Sequence, residues 1–394
     1  MSVWDQLVGQ ESAVEVLRQA AAAAARVVAG EPVAAGAMTH AWLFTGPPGS
    51  GRSVAARAFA AALQCGQAVG CGACTGCRLV AGGVHPDVHS VIPEGLSITV
   101  AEMRAVVGVA ERRPSLGHWQ AVVIEDADRL TEQASNALLK AIEEPPAGTV
   151  FLLCAPSTHP DDVSVTVRSR CRVVSLRTPS AAAITEVLVR AGADPERAHW
   201  AAQAAQGHVG RARRLATDEQ ARQRRSAVLS VPAGLTSLGA CLAAAERLVK
   251  AAEAESEALT EPRDASELSR LHTALGAGGT GRGSAGVARG TVGVVRELEK
   301  RQKARSTRSQ RDALDRALID LAGFYRDVLL HHANAAVPVA HPDVADQVTE
   351  VARRVDAPGA LQRLEAVLAC RAALDLNVKP RVAVEAMTAT LRLP

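Results

Sequence analysis

The sequence predicts an α/β domain with a parallel sheet, followed by two all-α domains. Short runs rich in β-branched residues alternate with helical stretches up to residue 176, and from Thr178 onward only Ala-, Leu- and Arg-rich helical stretches follow. Strands that alternate with helices are typical of a parallel sheet. We therefore predict an α/β domain over 1–177, a small helical domain over 178–228 and a larger one over 229–394. A Gly-rich stretch at about 276–290 has little to bury and is predicted to be a flexible loop.

The predicted strands are short and largely apolar, and most are separated by more than 20 residues, which leaves room for a crossover helix between parallel strands. They span 41–45, 88–92, 121–124, 150–154 and 172–176.

The charge and composition of the chain indicate how it relates to nucleic acids, secretion and membranes. The 44 basic and 41 acidic residues give a net charge of +3, so any nucleic-acid contact must be local. The N-terminus carries Trp4 and Asp5 instead of a basic and then apolar secretion signal, and the alanine run 20–25 is far shorter than the ~20 apolar residues that cross a bilayer. We expect a cytoplasmic protein without a membrane partner.

A candidate phosphate-binding loop follows the first strand. It contains Gly46, Gly49, Gly51, Arg52 and Ser53 in the spacing GxxxxGK[ST], with Arg in place of Lys, and a helical stretch comes next. Glycines let the backbone curl so that amides and the positive end of the next helix converge on phosphate oxygens. We predict ATP binding here, with Ser53 as the Mg²⁺ ligand.

Two departures from the usual pattern predict weak ATP turnover. The guanidinium of Arg52 is wide and planar, whereas the ammonium of Lys is a compact charge. A general preference for Arg over Lys along the chain explains the substitution equally well. The third predicted strand ends in Glu125 and Asp126, candidate Mg²⁺ and water-activating carboxylates, which stand in the reverse of the usual order of Asp and then Glu. An acidic pair that merely ends the strand is the alternative.

A cluster of cysteines predicts a metal site. Cys65, Cys71, Cys74 and Cys77 have the spacing CxxxxxCxxCxxC in a Gly-rich stretch, 65–77. Four thiolates favour a closed, structural, tetrahedral zinc site, and an iron–sulfur cluster is the lesser rival.

The combination of a phosphate loop and a cysteine module resembles the bacterial clamp-loader families gamma/tau and delta prime, which are AAA+ proteins. Further segments agree with that resemblance along most of the chain. They are WDQLVGQ (4–10), TEQASNALLKAIEEPP (131–146), SRC (169–171), FYRDVL (324–329) and NVKPRVAVEAM (377–387).

The resemblance implies roles for individual residues. It makes Arg170 an arginine finger that reaches the ATP site of a neighbouring subunit, places Thr158 in the sensor-one region and aligns Arg211 with the sensor-two position. Without the resemblance, Arg168, Arg170 and Arg172 are arginines that cover an edge of the sheet.

The resemblance also implies a function. The altered Arg52 and acidic pair, with no tau-type tail after Pro394, favour the delta-prime family. Such a subunit is a stator of the DNA polymerase III clamp loader: it joins gamma/tau-type and delta subunits in a ring through its C-terminal helical collar and helps to load the sliding clamp onto primed DNA. It carries no polymerase chemistry. The alternatives are a gamma-like, ATP-hydrolysing motor subunit and an unrelated zinc-bearing AAA+ protein.

Overall fold

The computed structural model describes residues 2–274 and 284–393. The chain forms two compact units. The first comprises Met1–Pro93 and Ser97–Thr217, and the second comprises Glu94–Leu96 and Asp218–Pro394.

The first unit contains the predicted parallel sheet. Within the described residues, five strands pair in the order β2-β3-β4-β1-β5, and every pairing is parallel. The strands are β1 (Ala41–Thr45), β2 (Val88–Val91), β3 (Gln120–Ile124), β4 (Thr149–Ala155) and β5 (Arg172–Ser175). The α/β prediction is confirmed, and each predicted strand agrees with the observed one to within a residue or two.

Helices cover both faces of the sheet. Alternate residues of the central strands face opposite sides: Trp42 and Phe44 pack with the helices of one face, and Leu43 with those of the other. Because both faces are covered, β1, β3 and β4 are buried along their whole length. The helices of the first unit are α1 (Glu11–Val28), α2 (Arg52–Leu63), α3 (Thr75–Ala81), α4 (Val100–Ala110), α5 (Glu132–Glu143), α6 (Val165–Arg168), α7 (Ala181–Arg190), α8 (Pro195–Ala204) and α9 (Val209–Thr217).

A buried carboxylate fixes the loop that precedes β3. Asp87 is 2% exposed and accepts hydrogen bonds from the amides of Ser115, Leu116 and Gly117 and from the Ser115 hydroxyl, at 2.6 to 2.8 Å. Burial alone would raise the pKa of Asp87, but these hydrogen bonds outweigh it and lower the pKa to about 2. The folded state therefore strongly prefers the ionised form.

We expect Asp87→Asn to lower the free energy of unfolding by about 2 kcal/mol, because an amide accepts these bonds less strongly and brings its own donors. The folded-state pKa lies below the ordinary value, so the stabilisation is complete above pH ~4 and is lost as the pH falls towards 2. Urea unfolding at pH 7 and pH 3 measures both effects. Asp161→Asn, at an exposed carboxylate, is the control. Equal stability of the two variants at pH 7 would contradict the assignment.

The second unit is helical, as predicted for the second half of the chain. Its core contains the buried aromatic pair Phe324 and Tyr325. Its helices are α10 (Glu219–Leu229), α11 (Val231–Gly234), α12 (Leu238–Ala274), α13 (Ser284–His332), α14 (Ala345–Arg354), α15 (Ala357–Asp375) and α16 (Pro380–Thr390).

Part of the predicted loop at 276–290 is helical in the described residues. Residues 276–283 of the predicted loop lie outside the described residues, and 284–290 are helical, because adding residues to an existing helix is far cheaper than starting one. Helices α7, α8 and α9 pack on one another in the first unit, whereas α10 belongs to the second. The separate domain over 178–228 stays a prediction. None of the helices in the described residues combines the length and apolarity that crossing a membrane requires.

Candidate functional site

The predicted phosphate loop connects β1 to α2. Its glycines occupy backbone conformations that other residues rarely adopt: Gly49 has φ +84°, and Gly51, which caps α2, has φ +95°. Gly46 lies so close to the residue that follows β5 that an added Cβ would be 2.6 Å from the Leu176 carbonyl oxygen. The first turn of α2 therefore begins at the loop, as an anion site requires.

Arg52 binds the loop itself. Its Nη1 donates a hydrogen bond of 2.6 Å to the carbonyl oxygen of Gly46. The side chain thus folds back across the loop, and the cation is partly satisfied without a phosphate. Ser53 is the next residue of α2 and is partly exposed at the same end of the helix.

The acidic pair lies at the carboxyl end of β3, close to the loop. Glu125 is 14% exposed and accepts a bond of 2.6 Å from Nη1 of Arg57, while Asp126 turns the chain in a left-handed conformation. Burial raises the pKa of Cys154, and the charges of Glu125, Arg52 and Asp126 also act on that thiol. The structure therefore gathers the predicted carboxylates and Arg52 around the ends of β1, β3 and β4.

A histidine directly before α9 covers this loop. The backbone and ring of His208 approach Gly49 so closely that a Cβ on the glycine would meet His208 atoms at 2.3 to 2.6 Å. The ring Nδ1 accepts the amide N–H of Arg211, the predicted sensor-two residue, in the first turn of α9. The loop and the start of α9 are therefore in direct contact.

The arginine of the SRC segment and the two arginines that flank it make three different sets of contacts. Arg172 donates to the carbonyl oxygens of Gly36 and Ala37 and lies 4.9 Å from the Trp42 ring centre, so it does cover the sheet. Arg168 donates to the Thr158 carbonyl oxygen at 3.2 Å, which leaves the predicted sensor-one residue bonded through its backbone.

Arg170 differs from both. Its Nη2 pairs with Oε1 of Glu143 at 2.5 Å, its Nη1 donates to the Thr166 carbonyl oxygen at 3.0 Å, and its side chain is 39% exposed. Its contacts lie on α5 and α6 and not on the phosphate loop of its own chain. An exposed cation held away from its own loop is what an arginine finger would require.

The four predicted cysteines converge. Their sulfur atoms all lie within 4.8 Å of one another. The Cys65 and Cys74 sulfurs are 3.9 Å apart, close to the ~3.8 Å edge of a tetrahedron with Zn–S bonds of ~2.3 Å. Backbone amides of Cys71, Cys74 and Cys77 donate to cluster sulfurs at 3.4 to 3.5 Å. Burial raises the pKa of Cys65, but backbone hydrogen bonds, first from Cys71, outweigh it and lower the pKa to about 6. The donor set fits a thiolate-ligated metal.

The N-terminal segment connects the cysteine loop to the phosphate loop. The Trp4 indole N–H donates to the Val69 carbonyl oxygen at 2.9 Å, and the Val3 amide donates to that of Gly70 at 3.0 Å. Farther along, the Gln10 side-chain amide donates to the Ser50 carbonyl oxygen at 3.3 Å. The WDQLVGQ segment is therefore a structural link between the two predicted sites.

Sequence reasoning missed three participants: Arg57, Glu143 and His208. The sequence alone could have indicated Arg57, because Arg57 lies four residues after Ser53 and therefore on the same face of α2. The other two come from segments far along the chain, and no spacing in the sequence associates them with Arg170 or Gly49.

Known proteins resemble part of the chain. The profile of the family described as "DNA polymerase III, delta subunit" matches residues 26–180. The delta-prime subunit of Pseudomonas aeruginosa is 37% identical over 157 residues, 39% of this chain and 47% of that protein. The Bacillus subtilis delta-prime subunit is 31% identical over 196 residues, 49% and 59% of the two chains. The chain thus spans about half the length of these curated relatives.

More distant resemblances extend beyond that family. The gamma/tau subunit of Mycobacterium tuberculosis is 32% identical over 148 residues, 34% of this chain and 24% of that protein. The solved structure of a gamma subunit-related protein from Thermotoga maritima is 15% identical, covers 90% of this chain and 94% of its own, and has a TM-score of 0.37, too low to compare the folds. The predicted resemblance is confirmed for part of the chain: residues 26–180 match the family profile, and the chain is 37% and 31% identical to two delta-prime subunits over 157 and 196 residues. The segments at 4–10, 324–329 and 377–387 lie outside the profile match, so their resemblance stays a prediction.

Proposed function

We propose that this chain is a delta-prime-type stator of a bacterial DNA polymerase III clamp loader. It would assemble with gamma/tau-type and delta subunits and, through the complex, help to load the sliding clamp onto primed DNA. The relation of residues 26–180 to delta-prime subunits is the observation that carries the proposal. The exposed Arg170, which is paired away from its own loop, supports the finger role within it.

In this proposal ATP cleavage belongs to the neighbour's site. A guanidinium delivered from a second chain offsets the charge that develops on the transferred phosphoryl group. Arg170 would supply that charge, while the chain's own loop would bind nucleotide weakly, because Arg52 bonds the Gly46 carbonyl oxygen and His208 covers Gly49. Gly46, Gly49, Gly51, Ser53, Thr158 and Arg211 remain the proposed nucleotide-binding residues, with Glu125 and Asp126 as the proposed Mg²⁺ and water-activating pair.

We also propose that Cys65, Cys71, Cys74 and Cys77 hold a structural zinc ion. Four protein thiolates leave no position for a reacting water, so the ion would stabilise the 65–77 loop and take no part in ATP cleavage. The loop in turn anchors the N-terminal segment through Val69 and Gly70.

Assembly tests the proposal. A mixture of this chain with gamma/tau-type and delta subunits from the same source is expected to elute as one complex in size-exclusion chromatography. The complex is expected to hydrolyse ATP in the presence of clamp and primed DNA. Separate elution of this chain at micromolar concentrations would overturn the proposal.

A motor role is the second candidate, favoured by the 32% identity to gamma/tau subunits and by the retained Ser53. Single-turnover hydrolysis of radiolabelled ATP by the isolated chain separates the two roles. As a stator, the chain is expected to turn over at least ~10²-fold more slowly than an isolated gamma-type subunit, because Arg52 replaces the Lys that supports phosphate binding. Turnover equal to that of the gamma-type subunit and abolished by Ser53→Ala would establish the motor role instead.

A further inference from the structure

The acidic end of α5 contacts the SRC arginine. Oε1 of Glu143 lies 2.5 Å from Nη2 of Arg170, and the side chains are 46% and 39% exposed, respectively. An ion pair this open to water is screened and contributes little to stability. The pair therefore contributes little to the stability of the fold. Its larger effect is to hold the Arg170 side chain in one direction.

The two ends of the guanidinium are held by different elements. The Nη1 end bonds groups of its own segment, the Thr166 carbonyl oxygen at 3.0 Å and the Ser169 hydroxyl at 3.3 Å. The Nη2 end bonds Glu143, which belongs to α5. Glu143 is thus the contact that fixes the direction of the side chain relative to a second element of the fold.

Both elements are rigidly placed. Ile142 in the last turn of α5 and Val167 in α6 are 1% and 2% exposed and belong to the same apolar core cluster. Glu144 caps α5 and precedes Pro145, so the helix ends at a defined residue next to Glu143. A carboxylate in this position varies little in distance from the arginine backbone.

We infer that Glu143 is a positioning residue for Arg170. This inference rests on the proposed finger role of Arg170. An unrestrained arginine has many rotamers and must be ordered each time it meets a neighbouring phosphate, whereas a side chain already directed by a carboxylate loses less freedom. Glu143 therefore raises the rate of the neighbour's ATP cleavage without contacting the nucleotide.

The test uses the complex reconstituted from this chain with gamma/tau-type and delta subunits, with clamp and primed DNA. Glu143→Gln is expected to lower kcat for ATP by about three- to tenfold, as expected for the re-ordering of one long side chain, and to leave KM unchanged. Glu143→Lys is expected to lower kcat further, because its ammonium repels the guanidinium. Glu144→Gln, at the adjacent exposed carboxylate, is the matched control and is expected to match the wild type.

Two further readouts separate positioning from a structural effect. The melting temperature of the isolated Glu143→Gln variant is expected to equal that of the wild type, since the pair is exposed. The difference in kcat between wild type and Glu143→Gln is expected to shrink as salt rises from about 0.05 to 0.5 M, because salt screens the pair.

The outcomes distinguish the positioning role from the finger role. If Glu143→Gln leaves kcat unchanged or raises it, while Arg170→Ala lowers it, the positioning role is overturned and the finger stands. If Arg170→Ala has no effect either, the finger role itself fails. A fall in kcat that salt does not alter would also overturn positioning by charge.

Discussion

In a complex reconstituted with gamma/tau-type and delta subunits, Arg170→Ala is expected to slow ATP cleavage at the site that Arg170 completes by about 10³-fold. The truncated side chain can no longer place a positive charge near the developing charge on the neighbour's phosphate. Pre-steady-state phosphate release, measured with clamp and primed DNA present, resolves the loss at one site from turnover at the others.

The same variant is expected to keep this chain's own affinity for MgATP. Arg170 bonds Glu143 and Thr166 and not the Gly46–Ser53 loop of its own chain. Arg168→Ala is the matched control, because Arg168 is engaged with the Thr158 carbonyl oxygen. A normal rate of phosphate release in the Arg170→Ala complex would remove the finger assignment, and a loss as large in the Arg168→Ala complex would show that the effect is not specific.

The second large effect is expected at the cysteine cluster. Cys74→Ser is expected to reduce the zinc content from about one ion per chain to near zero, because a serine hydroxyl replaces one of four thiolate ligands. With free zinc at about 1,000 times Kd, the wild type gains ~4 kcal/mol of stability that the variant lacks. Elemental analysis and chemical unfolding measure the two quantities.

Loss of the metal is also expected to loosen the N-terminal segment that binds the cysteine loop. Because the Val3 amide donates to the Gly70 carbonyl oxygen, its hydrogen exchange should accelerate in Cys74→Ser. Cys171→Ser, at a cysteine outside the cluster, is the control for both metal content and exchange. Full zinc retention by Cys74→Ser would contradict the four-thiolate site.

The sequence predicted the sheet well because its strands are locally encoded. The runs at 41–45 and 150–154 are apolar and become buried on both faces, which is the pattern of central parallel strands. The order of the strands places β4 between β3 and β1, and the pairing of β1 with β4 joins residues more than 100 positions apart, which no local signal specifies.

The candidate sites were predictable where spacing encodes them. The CxxC steps brought the cysteine sulfurs together as expected, since a short loop can return to one point. The bond from Arg52 to the Gly46 carbonyl oxygen was not predictable, because it depends on the rotamer of a long side chain. The contacts of His208 with Gly49, and of Glu143 with Arg170, depend on tertiary packing between distant segments.

A clamp-loading assay tests the proposed stator role of this chain and the finger role of Arg170. Fluorescent sliding clamp, primed DNA, ATP and the gamma/tau-type and delta subunits are combined with the wild-type chain, with Arg170→Ala or with no added chain. The stator role, with Arg170 as the finger, predicts rapid loading with the wild type, loading at least ~10-fold slower with Arg170→Ala, and background loading without the chain. Equal loading in all three reactions would contradict it.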